Sequence, residues 1–177
     1  TSAWKFYSRR IQLKILIIYL GRRGGGSLYT LFTARALHEQ GNRVEVFCSE
    51  ENDNLVDFSK ENFRVQSFVV AHTVKQIMTR FAHLLSLACK VIAWRVSNPK
   101  GIVHFTMFHL WTLPLMILLR IFKCRVIFTV HDFEPHIGDG GPFMKAAIKT
   151  QVFLSNGMVT LNPRVKQQVL ASSVSRL

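Results

Sequence analysis

One stretch constrains this chain more than any other: residues 14–29, KILIIYLGRRGGGSLY. Ile15 to Leu20 is an unbroken apolar run behind a basic leader. An apolar run without alternation predicts a strand buried on both faces, as in a parallel sheet. The run ends in Gly21, two arginines, three consecutive glycines and Ser27. Leu28, Leu31, Phe32, Ala34, Ala36 and Leu37 then recur at helical spacing up to Gly41, which stands where a helix-ending glycine belongs. Strand, glycine loop and helix in this order open an α/β fold of the kind that handles nucleotides. The bare N–H groups at such a helix start form a site for a phosphate or another anion.

The loop fits neither common phosphate motif. Gly24, Gly25 and Gly26 do not keep the G-x-G-x-x-G spacing, and no Lys-Ser/Thr follows as a P-loop requires. A plainer reading is a turn whose glycines allow tight strand-to-helix packing. Three glycines in a row exceed that need, so close approach of a ligand to the backbone is the better account.

The rest of the chain alternates in the same way. Strands are expected at 43–48, 64–70, 102–106, 124–130 and 158–161, with a short irregular or helical link at 55–62. Helices are expected at 73–97, 110–122 and 143–154, the last with Pro142 at its first turn. A final helix opens with Asn162 as N-cap and Pro163 behind it. This order predicts a parallel sheet with helices on both faces. Ligands of such sheets sit outside the C-terminal strand ends. Four features fall there: the glycine loop, His109, the pair His131-Asp132 and Asn162.

Composition narrows the classes. Hydrophobic residues at 49% and charged residues at 19% exclude a disordered chain, and 177 residues suffice for one domain with a real core. The formal net charge of +13 predicts attraction to anions. No nucleic-acid motif accompanies it, so a membrane face or an anionic substrate is the stronger reading. Cys48, Cys89 and Cys124 are far apart in apolar contexts, which predicts three reduced, buried thiols, no disulfide and no zinc site. Residues 102–122 are apolar enough to pose a membrane span as an alternative, but Pro114, His104 and His109 inside it would be costly. Residues 1–13 read as a leader or appended remnant and not as a signal peptide.

Four segments in order then resemble one family. KILIIYLGRRGGGSLYTLFTARALHEQGNRVEVFC, IVHFTMFH, RVIFTVHDFEP and GMVTLNPRVKQQV are similar to the N-terminal half of a retaining family-4 glycosyltransferase of the GT-B fold. The resemblance runs from Lys14 to about Leu170 and lies in the order of the motifs. It implies a Rossmann-like sheet of about six or seven strands over 14–177, serving the acceptor side. The donor-binding domain would lie beyond this chain, which alone would be inactive. It further implies that Gly24, Gly25, Gly26, Ser27 and Arg23 face the cleft near a diphosphate or the acceptor. His131 would point at the donor sugar, with Asp132 in the position that usually follows. Where the family often has Ser, this chain has Asn162, which keeps a capping role but not a hydroxyl. A nucleotide-sugar would be a co-substrate, with no further cofactor and no bound metal. The implied partners are a sugar or lipid-linked acceptor, a C-terminal donor-binding domain or subunit and an anionic membrane surface. The implied products are cell-surface polysaccharide or glycolipid, and the implied place is the cytoplasm, at the inner face of the membrane.

Other readings stand beside these. His131-Asp132 could merely satisfy backbone groups at a strand end, and His104 reads as a packed strand histidine. His109 reads equally as cleft wall or helix-start packing. Arg22 and Arg23 read as solvated charges or as phosphate contacts. Residues 73–97 read as a core helix or an interfacial membrane surface. At the level of function, the alternatives are a noncatalytic membrane-docking subunit of a split transferase and a Rossmann NAD(P)-binding domain. The displaced glycines and the lack of an acid closing the second strand disfavour the last.

Overall fold

The computed structural model describes residues 12–133 and 141–172. The elements are β1 (Lys14–Tyr19), α1 (Gly25–Glu39), β2 (Arg43–Ser49), α2 (Leu55–Ser59), β3 (Arg64–Phe68), α3 (Val74–Thr79), α4 (Phe81–Ser97), β4 (Ile102–Phe105), α5 (Thr112–Ile121), β5 (Arg125–Val130), α6 (Gly141–Leu154), β6 (Gly157–Thr160) and α7 (Pro163–Ala171). Six strands form one parallel sheet in the order β3-β2-β1-β4-β5-β6. The chain thus builds outward from β1, then returns to the other side of β1 through α3 and α4. The switch point of the fold lies between β1 and β4.

Alternation along β1 divides the core in two. Ile15 and Ile17 pack with Leu31 and Ala34 of α1 and Phe58 of α2. Leu16, Ile18 and Leu20 pack on the other face with Leu87 and Val91 of α4, Leu115 and Leu119 of α5, Ile148 and Val152 of α6 and Val169 of α7. Both faces are covered, which explains why β1 carries no polar residue after Lys14.

Gly41 takes φ 88°, the left-handed conformation expected just past a helix end, and Asn42 N–H reaches back to the Leu37 carbonyl. Asn162 caps α7 by accepting from Val165 N–H at 2.8 Å. The expected Rossmann-like α/β architecture with helices on both faces is therefore the observed one.

Three expectations need correction. The buried stripe of α1 is Gly26, Ser27, Thr30, Leu31 and Ala34, whereas Leu28 and Phe32 are exposed. The stripe turns because polar Ser27 and Thr30 are bonded inward. The helix expected over 73–97 breaks at Arg80, where φ −105° and ψ 17° leave the helical range. At this break the Arg80 side chain bonds the Val70 carbonyl and Glu51. Cys48 and Cys124 are buried, but Cys89 is exposed on α4. Residues 102–122 form the strand and helix expected of them, and no described helix is long and apolar enough to cross a membrane. The glycine-rich loop after Phe133, with Glu134 and Pro135, lies outside the described residues, as do residues 1–11 of the expected leader. Gln12 and Leu13 already bond to Gly41 and Arg43 beside β2.

Candidate active site

The sheet's C-terminal rim gathers the loop and the imidazole. Gly24 caps α1 with φ 90° and ψ −168°, a backbone region essentially reserved for glycine. A Cβ at Gly26 would lie 2.7 Å from Met107 Sδ, so that position is set by close packing. Gly25 has neither constraint: its φ is unremarkable and a Cβ there would meet nothing within 4 Å. No side chain caps α1; the Ser27 N–H turns back to the Gly24 carbonyl at 3.2 Å, which leaves the exposed Gly25 at the outer end of the helix start.

A line of hydrogen bonds joins this helix start to His131. Thr30 Oγ1 donates to the Gly26 carbonyl at 2.6 Å. Thr30 Oγ1 also meets Thr106 Oγ1 at 2.7 Å, and Thr106 Oγ1 in turn lies 3.4 Å from the Ile18 carbonyl. Thr106 follows β4, and its N–H donates to the Ile18 carbonyl of β1 at 3.2 Å. The Thr106 carbonyl lies 2.8 Å from His131 Nε2. A carbonyl only accepts, so Nε2 carries a proton, and in the neutral ring the lone pair falls on Nδ1. Tyr29 of α1 stands edge-on to the His131 ring at 5.3 Å, and its hydroxyl bonds Thr129 Oγ1 at 3.2 Å. The glycine loop and His131 thus share one rim, at the switch point, with the imidazole only partly buried.

The other expected residues spread along the same rim. Asp132 is exposed beside His131. Ser27 is fully buried, its hydroxyl turned inward to Asn52 Oδ1 at 2.5 Å. Arg23 is exposed and lies 3.9 Å from Asp53. Asn162 follows β6 and is exposed, its side-chain oxygen committed to the cap. His109 sits at the start of α5, accepting from Trp111 N–H at its Nδ1 and stacking edge-on with His72 at 5.5 Å. Burial brings its pKa down to about 4, so it is neutral at pH 7. His104 packs inside the sheet with Nε2 2.8 Å from Thr129 Oγ1, and burial lowers it likewise to about 4.

Sequence reasoning missed Tyr29, Thr30 and Thr106. Thr30 stands one helical turn after Gly26 and Thr106 directly past β4, but threonine there is too ordinary to signal a role. Also missed was Glu51, bonded by Arg80 at 2.9 Å and Arg22 at 3.4 Å, with His72 at 3.7 Å. Arg80 above all holds its carboxyl below the usual range. Among the described residues no group of three or more His, Cys, Asp or Glu could hold a metal ion.

Chemically, the rim offers a helix start without a side-chain cap and the exposed Arg23, both suited to a diphosphate, next to an imidazole whose Nδ1 accepts when the ring is neutral. A reaction expelling a diphosphate needs such fixed donors where negative charge grows.

Known structures share this fold. Acinetobacter baumannii MurG superposes with a TM-score of 0.61 at 12% identity, over 86% of this chain and 42% of that one. Anabaena HepE, solved with UDP-glucose, gives 0.63 at 15%, over 89% and 40%. A putative UDP-N-acetylglucosamine 2-epimerase of Listeria monocytogenes gives 0.65 at 13%, over 90% and 41%. The chain therefore spans about two-fifths of these structures, and the likeness is one of fold: a Rossmann-like half of the GT-B architecture. A search of curated proteins finds no match. Residues 23–175 match the model of Glycosyltransferase Family 4, from the glycine loop to beyond α7. The chain belongs to Glycosyltransferase Family 4.

Proposed function

We propose that this chain is the acceptor-side half of a retaining, nucleotide-sugar-dependent glycosyltransferase that builds a cell-surface polysaccharide or glycolipid. The observation that supports the reading is the bond line Gly26–Thr30–Thr106–His131, which joins the helix start and the imidazole on one rim of the sheet. In this reading the Gly25 and Gly26 amides and Arg23 meet a diphosphate or the acceptor. His131 faces the donor sugar, with Asp132 beside it, and His109 and Asn162 line the rim. The nucleotide-sugar is a co-substrate and no bound metal takes part. A C-terminal donor-binding domain, in the same protein or a partner subunit, completes the cleft from the cytoplasm. Family membership supports the reaction class, and HepE's structure with UDP-glucose supports the donor class.

The test is transfer from a UDP-sugar by this chain alone, with a donor-binding half added, and with His131→Ala in the pair. Activity should need both halves and fall at least about a hundredfold in the variant. Full activity of the His131→Ala pair would overturn the reading.

A second reading, a membrane-docking subunit of a split transferase, is favoured by one observation. Met78, Phe81 and Leu85 are 83%, 54% and 51% exposed around the Arg80 break, with Lys75 nearby. Flotation with anionic vesicles at low salt tests it; a Met78→Ser/Phe81→Ser variant that floats as well as the parent counts against it.

A further inference from the structure

The opposite rim of the sheet carries a feature that the transferase reading does not use. Below the N-terminal strand ends lies an open basin of about 760 Å³. Lys14 begins β1, Lys100 precedes β4, and Lys123 and Arg125 flank the start of β5; all four line the basin. The register sets these starts side by side, with Ile15 opposite Ile102 and Ile102 opposite Arg125. All four side chains are exposed, and none pairs with a carboxylate among the described residues.

A basic protein has unpaired cations in many places, so charge alone decides nothing. Two further observations separate this basin from the general surface. Lys123 has φ 50° and is the one non-glycine residue at positive φ among the described residues. It stands just past α5, where glycine is the natural occupant, and a lysine there sits in a strained backbone. Behind it, Arg95 Nη2 makes a long bond of 3.4 Å to the Lys123 carbonyl, and Nη1 one of 3.5 Å to the Asn98 carbonyl. Its Nε is buried and has no acceptor.

The ends of α4 and α5 point at this rim and offset part of the charge. Each helix C-terminus is equivalent to about half a negative charge. Two such ends supply roughly one negative charge against the four lining cations Lys14, Lys100, Lys123 and Arg125. The remaining positive charge, gathered in one basin, favours an anion there. Phosphate suits it, since several donors from separate segments can share its oxygens.

We propose that this basin is a second anion site, binding a phosphate-bearing ligand, on the rim opposite the candidate active site. The phosphate belongs either to a free phosphate ester or to a lipid headgroup. The site stands on its own geometry and does not depend on the transferase reading.

The experiment titrates the full chain with pyrophosphate by calorimetry and, separately, with vesicles of phosphatidylglycerol or of phosphatidylcholine. Lys123→Gly relieves the strained backbone, so it should keep or raise the melting temperature while weakening anion binding several-fold. Lys14→Ala/Lys100→Ala/Arg125→Ala should weaken it about tenfold or more. Pyrophosphate binding lost in these variants identifies a free phosphate ester as the ligand class. Phosphatidylglycerol binding lost in them, with pyrophosphate not bound, identifies the headgroup. Arg23→Ala on the far rim is the comparison. The proposal is overturned if neither probe binds, if the basin variants bind as well as the parent, or if Arg23→Ala alone removes binding.

Discussion

Gly25 shows how three adjacent glycines can serve three purposes. Gly24 is demanded by its backbone and Gly26 by the sulfur of Met107, while nothing in the fold demands Gly25. Gly25→Ala should therefore change stability by less than about 0.5 kcal/mol, since it adds a better helix former without a clash. If the open space is where substrate approaches, the same change should cut transfer by the reconstituted pair about tenfold. Gly24→Ala should instead cost about 1–3 kcal/mol in a denaturation experiment, because alanine cannot hold that backbone without strain. Equal stability loss in both variants would show that the loop is only a turn. The glycine run was legible in the sequence, and so was His131-Asp132, because rare patterns stand out. Thr30 and Thr106 were not, because what matters is their meeting across 76 positions, and only the fold brings that about.

At the scale of elements, apolar runs announced the central strands β1, β4 and β5, since strands covered on both faces have no polar side to blur the signal, whereas the outer β3 and β6 are only half-buried. Helix faces were less legible. The stripe of α1 was misread because hydroxyls at Ser27 and Thr30 are buried by bonding to Asn52 and to Gly26 and Thr106. The break between α3 and α4 left no mark on the hydrophobic period, and the side chain that stands at it is Arg80. Arg80 reaches the carbonyl of Val70, just past β3, and the carboxylate of Glu51, just past β2. It thus ties the returning helix to the C-terminal rim. Arg80→Ala should cost about 1–2 kcal/mol, chiefly by stranding the Val70 carbonyl. Glu51→Gln added to Arg80→Ala should cost less than the sum of the two single changes, since both lose the 2.9 Å contact they share, while Arg22 and His72 keep only longer contacts to Glu51. Simple additivity in that cycle would mean that the ion pair contributes nothing to stability.

The whole molecule folds around neutral histidines, and this sets its response to acid. His104 is buried between β1 and β5, and His109 is packed beneath His72 at the rim; both have pKa values lowered from 6.5 to about 4. Burial also lowers His72. In the unfolded chain these rings take up protons near pH 6.5, whereas the folded state resists them until about pH 4. Between those values the unfolded state binds more protons, so stability must rise with pH through the window and fall as the solution is acidified. Each of the two strongly perturbed rings is worth on the order of 3 kcal/mol across the whole window, an amount comparable to much of a small domain's stability. Glu51 acts in the same direction at lower pH, because its depressed carboxyl loses the contact with Arg80 once protonated. The formal charge of +13 becomes still more positive as these groups take up protons, which adds self-repulsion. Urea denaturation at pH 7.5, 6.0 and 5.0 should therefore show a midpoint that falls steadily, with most of the loss below pH 6.5. His104→Gln, which can still reach the Thr129 hydroxyl, should flatten that slope while lowering stability at pH 7.5 by a smaller amount. A midpoint constant from pH 7.5 to 5.0 would mean that the two rings are not sealed from water, and the packing of the rim against β4 would have to be drawn differently.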